Sequence, residues 1–356
     1  KPCLMEKQNI IGLSKTVLAE KLQALGLEKF RAKQIWQWLY AKGVGSFEEM
    51  TNLSPKHHTL LNEHFVIGYP TISRHMESID GTQKWLLKFS DGQEVETVYI
   101  PTSDRGTLCV SSQVGCSLTC SFCHTGTQKL VRNLTSADIV GQFMLAHKAV
   151  GDDALSNIVM MGMGEPLLNY DNVKTALTLL MDEEGMNLSK RKITLSTSGI
   201  VPHIKTCGEE LGVNLAISLH AVRDELRDVL VPINKKWNIA QLLDACREYY
   251  GAAQTFRRVT FEYVMLKDVN DSDEDAKILV KLLRGINSKI NIIPFNPWPG
   301  AIYECSDKGR INQFAAILNN GGLEAPVRTP RGRDILAACG QLKSESQKQS
   351  LQKANS

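Results

Sequence analysis

The sequence predicts an α/β fold: a partial (β/α)6, TIM-like barrel with a small helical N-terminal domain and a short β extension. Three observations lead there. First, six strand-like runs (107–113, 157–163, 191–197, 213–219, 258–265 and 289–295) alternate with amphipathic stretches such as 136–149, 170–183, 239–250 and 273–284. Repeated βα units imply a parallel sheet with right-handed crossovers. Second, several runs alternate polar with apolar residues, where strands buried on both faces would be continuously aliphatic. Asn214, Ala216, Ser218 and His220 interleave with Leu215, Ile217 and Leu219, Thr194, Ser196 and Ser198 with Ile193 and Leu195, and Cys109, Ser111 and Gln113 with Leu108 and Val110. Such polar faces would line a lumen able to hold a polar ligand. Third, the chemistry-bearing motifs fall at the C-terminal ends of these strands, where β/α barrels keep their catalytic groups. Six units suit an open barrel better than a closed ring of eight.

Taken in order, residues 1–75 form the expected helical domain, a candidate RNA-binding accessory. Leu18, Leu22, Leu25 and Leu27 lead into Phe30-Arg31-Ala32-Lys33-Gln34-Ile35-Trp36-Gln37-Trp38-Leu39-Tyr40, whose apolar residues recur at helical spacing. They predict a small bundle with an aromatic core, and Arg31, Lys33, Lys42 and Lys56 suit a face for nucleic acid. Residues 76–104 form the extension: 84–89 and 94–100 flank the turn Ser90-Asp91-Gly92 as a hairpin. The barrel is expected over 105–340. The tail 341–356, rich in Ser, Gln and Lys, lacks apolar periodicity and is expected to be disordered.

Composition narrows the class. Hydrophobic residues make up 43% and charged residues 22% of 356, an ordinary globular balance with room for a large core. A net charge of +3 is too small to name a partner, so a nucleic-acid role rests on local clusters: Lys190-Arg191-Lys192, Lys235-Lys236 and the arginines from Arg328 to Arg333. No apolar run approaches the ~20 residues that span a bilayer, so no membrane association is expected. Nine cysteines without an export signal point to a reducing, cytoplasmic setting, where thiols serve metals or catalysis.

Cys116, Cys120 and Cys123 follow the first strand in the spacing C-x3-C-x2-C. Three thiolates can hold three irons of a [4Fe-4S] cluster and leave the fourth open, whereas structural zinc and most iron–sulfur electron carriers take four protein ligands. Two other readings stand beside this one. His124 would complete a three-cysteine, one-histidine zinc site, although adjacent Cys123 and His124 reach one tetrahedral ion with difficulty. Cys120-Ser121-Phe122-Cys123-His124 also fits the haem-attachment pattern of exported proteins, against which the missing export signal counts.

Further along, Met163-Gly164-Glu165-Pro166, Ser196-Thr197-Ser198-Gly199, Ser218-Leu219-His220 and Asn296-Pro297-Trp298-Pro299-Gly300 close successive strands. Glycines admit close backbone approach to a ligand, and Glu165 can accept from an ammonium group. Following the three cysteines, these motifs resemble the radical S-adenosylmethionine superfamily, in which the open iron chelates the cofactor and an electron cleaves it to a 5′-deoxyadenosyl radical. Val159-Met160-Met161-Gly162-Met163-Gly164-Glu165-Pro166-Leu167, Leu195-Ser196-Thr197-Ser198-Gly199, Val231-Pro232-Ile233-Asn234-Lys235-Lys236 and Val327-Arg328-Thr329-Pro330-Arg331-Gly332 further resemble the RlmN family. That family methylates adenine C2 in 23S rRNA and tRNA. The resemblance runs from the Phe30-Arg31-Ala32 region to Gln341.

The resemblance implies a radical SAM barrel in which Gly164, Glu165, Ser196, Ser218, Leu219, His220 and Asn296 contact S-adenosylmethionine. It implies Cys339 as methyl-carrying cysteine, Cys109 as the resolving thiol that forms a transient disulfide with it, and Glu96 as proton acceptor, a role open to Cys109 as well. Two cofactor molecules per turnover, an electron donor such as a flavodoxin-type reductant, and 23S rRNA and tRNA as substrates follow from the same likeness. A monomer is expected. Adenine C2, flanked by two ring nitrogens, is too electron-poor to attack a methyl sulfonium, whereas a thiolate can. Cys3, Cys207, Cys246 and Cys305 are read as small hydrophobes. Two rivals remain at this point: the related family that methylates adenine C8, and a non-catalytic zinc-bearing RNA-binding protein.

Overall fold

A computed structural model describes residues 7–102, 106–151, 154–252 and 257–346. Its centre is a nine-stranded sheet whose spatial order follows the chain. The strands are β1 (Thr71–Glu77), β2 (Gln83–Lys88), β3 (Glu94–Pro101), β4 (Gly106–Cys109), β5 (Asn157–Met160), β6 (Ile193–Thr197), β7 (Asn214–Ser218), β8 (Val259–Met265) and β9 (Ser288–Pro294). β4 to β9 run parallel to one another, while β1 to β4 pair antiparallel in succession. The six expected barrel strands are all present.

The β extension is less separate than expected. β3 pairs with β4 in the register Val98↔Cys109 and Tyr99↔Leu108, so the hairpin continues the barrel sheet. A further strand, β1, pairs with β2. Its mostly exposed face hides it from a search for apolar runs.

Helices fill the βα connections: α4 (Ser136–Val150), α5 (Tyr170–Met181), α6 (Val201–Glu210), α7 (Asp224–Leu230), α8 (Ile239–Ala252), α9 (Asp273–Leu282) and α10 (Lys308–Asn320). Thr135 and Ser272 start α4 and α9 as capping boxes with Asp138 and Asp275. Three helices escaped the sequence reading. α6 opens Val-Pro and carries Gly208 inside, both of which blur periodicity. α7 is only seven residues long. α10 has a clear apolar stripe of Ile311, Phe314 and Leu318 but lies beyond the last strand. Leu195, Leu215, Ile217 and Leu219 are fully buried on the helix side, leaving the alternate polar residues to face inward.

The N-terminal region folds as α1 (Lys15–Ala24), α2 (Lys29–Trp36), a wide π turn over Gln37–Ala41 and α3 (Pro55–His64). Trp36 and Tyr40 form the aromatic core, with ring centroids 4.5 Å apart. Phe30 stays 54% exposed, with the Arg31 guanidinium 4.7 Å from its ring. Lys42 likewise lies 3.7 Å from the Trp38 ring. This domain is tied to the barrel by Lys15 and Trp36, which both donate to Asp182 after α5.

The expectation of a disordered tail from residue 341 fails over 341–346. Leu342 and Ser344 are buried, and the backbone N–H of Lys343 donates to Glu96 Oε2 at 3.0 Å. Buried hydrogen-bonded backbone supplies the order that apolar periodicity does not announce. The remaining tail residues, 347–356, and Cys3 lie outside the described residues.

Candidate active site

The cysteine loop begins where Gln113–Val114 pairs with Arg132–Asn133. Gly115 turns the chain at φ +77°, and a Cβ there would lie 2.3 Å from the Lys129 carbonyl oxygen, so only glycine fits. The loop then folds on itself, with Cys116 N–H donating to Gln128 O, Cys123 N–H to Cys120 O and Gly126 N–H to Cys123 O. Gln113 joins it to the next strand end: its amide donates to Ser117 Oγ, and its carbonyl accepts from Ser117 N and Glu165 N.

These strand ends surround one cavity of about 1040 Å³, counting its open mouth. Of the expected site residues, Cys116, Cys120, Cys123, Gly164, Glu165, Ser196, Ser218, His220, Asn296 and Cys339 line it. Leu219, Cys109 and Glu96 do not. Leu219 is a buried core side chain whose backbone N–H bonds Glu262 O. Cys109 sits in β4 with its thiol pushed up to about 12 by burial. Cys339 opens on the cavity, and its enclosure by the cavity walls raises its thiol above the ordinary value. Cys109 and Cys339 are both free thiols in this structure.

Glu165 is buried, with Oε2 accepting from Ser198 N at 2.8 Å and Oε1 from Leu167 N at 3.1 Å. Burial raises its carboxyl above the ordinary range despite those donors. His220 adopts φ +59°, and its Nδ1 accepts from Val264 N at 3.1 Å. That bond assigns the ring proton to Nε2. Burial lowers the ring's pKa to about 3, so it is neutral at physiological pH. Asn296 donates to Cys339 O and accepts from Arg333 Nε.

Glu96 lies behind the cavity wall. Its Oε1 is 2.7 Å from Lys84 Nζ, with both side chains more than nine-tenths buried. Burial raises the Glu96 carboxyl, and Lys84 opposes that rise. Lys84 also donates to Leu336 O, so the pair holds the segment bearing Cys339 from both sides.

Two residues of consequence, Glu262 and Arg227, were not singled out in sequence, and a third, Trp298, was named only within its strand-end motif. Glu262 on β8 lines the cavity, accepts from Asn291 Nδ2 at 2.8 Å, and has its carboxyl pushed up to about 7 by burial. Arg227 on α7 is fully buried and donates to the carbonyls of Ser198, Ser218 and Leu219 and to Asn234 Oδ1. Trp298 stacks on His124 and donates to Phe122 O. A lone charge inside an apolar strand was the available signal for Glu262. Arg227 lies on α7, a helix the sequence reading did not find, so nothing marked it.

The donor set fits an iron–sulfur cluster better than zinc. Among the described residues, no group of three or more His, Cys, Asp or Glu side chains is placed to hold one metal ion. The three thiols stand around a cavity instead. His124 is turned onto Trp298, with its Nδ1 beside Gln341 O. Burial pushes Cys116 up to about 12 and raises Cys120 and Cys123 too, so these thiols ionise only against a strong cationic partner such as iron. Glycine cradles adjoin them: a Cβ on Gly126 would lie 2.5 Å from Cys120 O, and one on Gly164 2.5 Å from Gln113 Cβ.

A parallel β/α sheet with three cysteines at its mouth defines a radical S-adenosylmethionine enzyme. The radical SAM superfamily model matches residues 110–279, and that of the ribosomal RNA large subunit methyltransferase N-terminal domain matches residues 8–67. The dual-specificity RNA methyltransferase RlmN of Rhodopseudomonas palustris (strain BisB18) is 58% identical over 362 residues, covering 96% of this chain and 90% of its own length. That of Rhizobium meliloti (strain 1021) is 58% identical over 368 residues, covering 96% and 89%. A crystal structure of a radical SAM methyltransferase from Sphaerobacter thermophilus superposes with a TM-score of 0.89 at 44% identity, covering 94% of this chain and 99% of that one. The chain belongs to the RlmN family.

Proposed function

We propose that this chain methylates C2 of a specific adenosine in 23S rRNA, at the peptidyl-transferase centre, and of the adenosine 3′ of the anticodon in tRNAs. The reaction would pass through a methyl-cysteine and a covalent protein–RNA adduct. The observation that carries this reading is that Cys339 lines the same cavity as Cys116, Cys120 and Cys123. A methyl-accepting sulfur beside a three-thiolate cluster site has no purpose in a binding protein.

Cys116, Cys120 and Cys123 would hold the [4Fe-4S] cluster, and Glu165, Ser196, Ser218, His220 and Asn296 would surround S-adenosylmethionine. When bound, these groups would supply a methyl group and a hydrogen-abstracting radical, from two cofactor molecules per turnover. Cys339 accepts the methyl as a thioether. Its activated methylene carbon then bonds to adenine C2, which is electron-poor enough to be attacked. Glu96 or Cys109 takes the C2 proton. The Cys109 thiolate would next attack the Cys339 sulfur and break its bond to the methylene carbon, which would take up a proton as the RNA's new methyl group. The unpaired electron left by the radical addition would return to the cluster. A flavodoxin-type or thiol reductant would then reopen the disulfide.

Neutral His220 suits a wall beside a sulfonium, since it adds no like charge. The target base must leave its stack, because no side chain reaches C2 in a folded RNA. Lys190, Arg191, Lys192, Lys235, Lys236 and Arg328 are exposed and suited to phosphate. Among the described residues no helix is long and apolar enough to cross a membrane.

Nucleoside mass spectrometry of rRNA and tRNA from cells lacking the protein tests the reading. The expected result is loss of 2-methyladenosine from both RNAs, restored by the wild-type chain. Restoration of a methyl on C8 instead would assign the chemistry of the related family.

A further inference from the structure

Glu262 and Asn291 occupy the same level of adjacent strands, and Ser218 stands at that level on the other side. The three make a polar row across β7, β8 and β9. Glu262 and Asn291 are each 7% exposed. Among the described residues, the one hydrogen bond to the Glu262 side chain comes from Asn291 Nδ2. A carboxylate has about four acceptor sites, and this one opens on the cavity. Among the described residues, Asn291 Oδ1 is buried with no partner, so Asn291 backs Glu262 from behind the cavity wall. An under-used carboxylate opening on a cavity calls for a ligand that donates.

We infer that Glu262, supported by Asn291, reads the 6-amino group of the target adenine and so sets the choice of base. This inference rests on the adenine-C2 reading above. An adenine joined to ribose has one donor group, the 6-amino, while its ring nitrogens only accept. C6 is separated from C2 by the single ring atom N1, so a base presenting C2 to Cys339 places its amino group close by. Glu262 and Cys339 line the same cavity. Guanine and hypoxanthine carry an oxygen at this position, and its lone pairs would face those of the carboxylate. Once ionised, above about pH 7, the same residue accepts from adenine and offers no donor to the oxygen of a 6-oxo purine.

The test uses the holoenzyme and a short RNA hairpin bearing adenosine, purine riboside (no 6-substituent) or inosine at the target position. Wild-type kcat/KM should favour adenosine over purine riboside by about tenfold or more, and over inosine by a wider margin. In Glu262→Gln the adenosine-to-purine gap should close. Inosine should gain relative to adenosine, because a glutamine amide can donate to the 6-oxo group. Asn291→Ala should narrow the first gap without favouring inosine. Because the wild-type comparison needs no variant, a folding defect in either one does not remove the test.

Equal wild-type rates on all three RNAs would overturn the assignment. So would a Glu262→Gln loss of the same factor on each RNA. A loss falling on the affinity for S-adenosylmethionine, with base discrimination intact, would overturn it too and give the carboxylate to the cofactor's ribose. Wild-type enzyme that leaves the adenosine hairpin unmethylated at C2 would remove the functional reading and this subsite together. Methylation without discrimination removes the subsite alone.

Discussion

His124 stacks on Trp298 with ring centroids 4.7 Å apart and planes 7° from parallel. The contact joins the cysteine loop to the segment after β9, and the backbone completes the joint. His124 N–H donates to Gly340 O, Gln341 Nε2 donates to Pro297 O, and Thr125 Oγ1 donates to Leu342 O. The loop that carries Cys339 is thus seated on the loop that carries Cys116, Cys120 and Cys123.

Trp298→Leu removes the stack and the N–H bond to Phe122 O while keeping apolar bulk. Aromatic pairs of this kind contribute about 0.5–1.5 kcal/mol, and the lost hydrogen bond adds a similar amount. Methylation of Cys339 in the absence of RNA should fall by about tenfold, with iron content unchanged. Mass spectrometry of the Cys339 peptide, alongside iron analysis, checks this. Loss of iron in step with methylation would show that the stack serves the cluster loop alone.

The thiols differ in what their loss should leave behind. Cys339→Ala should abolish RNA methylation while the protein still cleaves S-adenosylmethionine. Cys109→Ala should instead accumulate enzyme joined to RNA, visible as a nuclease-sensitive band shift on a denaturing gel. Cys109→Ala material free of RNA would remove its resolving role.

How far the sequence carried this site depends on how local each signal is. The cysteine loop and the Gly164-Glu165-Pro166 turn were legible because their chemistry lies in spacing over a few residues. The lumen face was legible too, since a period of two survives in any strand: Ser196, Ser198 and Ser218 do line the cavity. The pairing of Cys109 with Cys339 rests on family likeness alone, because nothing local relates a strand residue to a C-terminal loop. Glu96 shows the opposite limit. It looked like an ordinary strand residue, and its buried pairing with Lys84 becomes visible only when β2 and β3 are laid in register, Leu86 opposite Glu96. The order of residues 341–346 was invisible because it rests on hydrogen bonds to Glu96, Thr125 and Gln128 rather than on apolar side chains.

Arg227 binds the ends of two strands that supply cavity-lining residues. Its guanidinium holds Ser198 O at 2.7 Å, Ser218 O at 3.0 Å and Leu219 O at 3.0 Å, and Asn234 relays it to Asp224 and Asp228. Arg227→Lys keeps the charge but cannot span three carbonyls. Stability should drop by on the order of 3 kcal/mol, and affinity for S-adenosylmethionine by about tenfold or more. Urea titration and isothermal calorimetry measure the two. Weaker stability with unchanged affinity would make Arg227 a purely structural tie.

Glu262 should make the protein less stable as pH rises. Its carboxyl is raised from an ordinary value near 4.5 to about 7 by burial, so between those limits the folded state holds a proton that the unfolded chain has lost. Stability therefore falls as pH climbs through that window and levels off above 7, a cost on the order of 3 kcal/mol by pH 8. Glu262→Gln removes the titration while its side-chain oxygen can still accept from Asn291. The variant should gain on wild type between pH 5 and pH 8 in urea unfolding at matched cluster content. Glu96 and Glu165 are also raised, but they contribute equally to both proteins and cancel in the difference. A constant difference across that range would mean that Glu262 is already ionised when folded. A growing one, together with loss of base selectivity, would mark a carboxylate kept for the substrate at the expense of the fold.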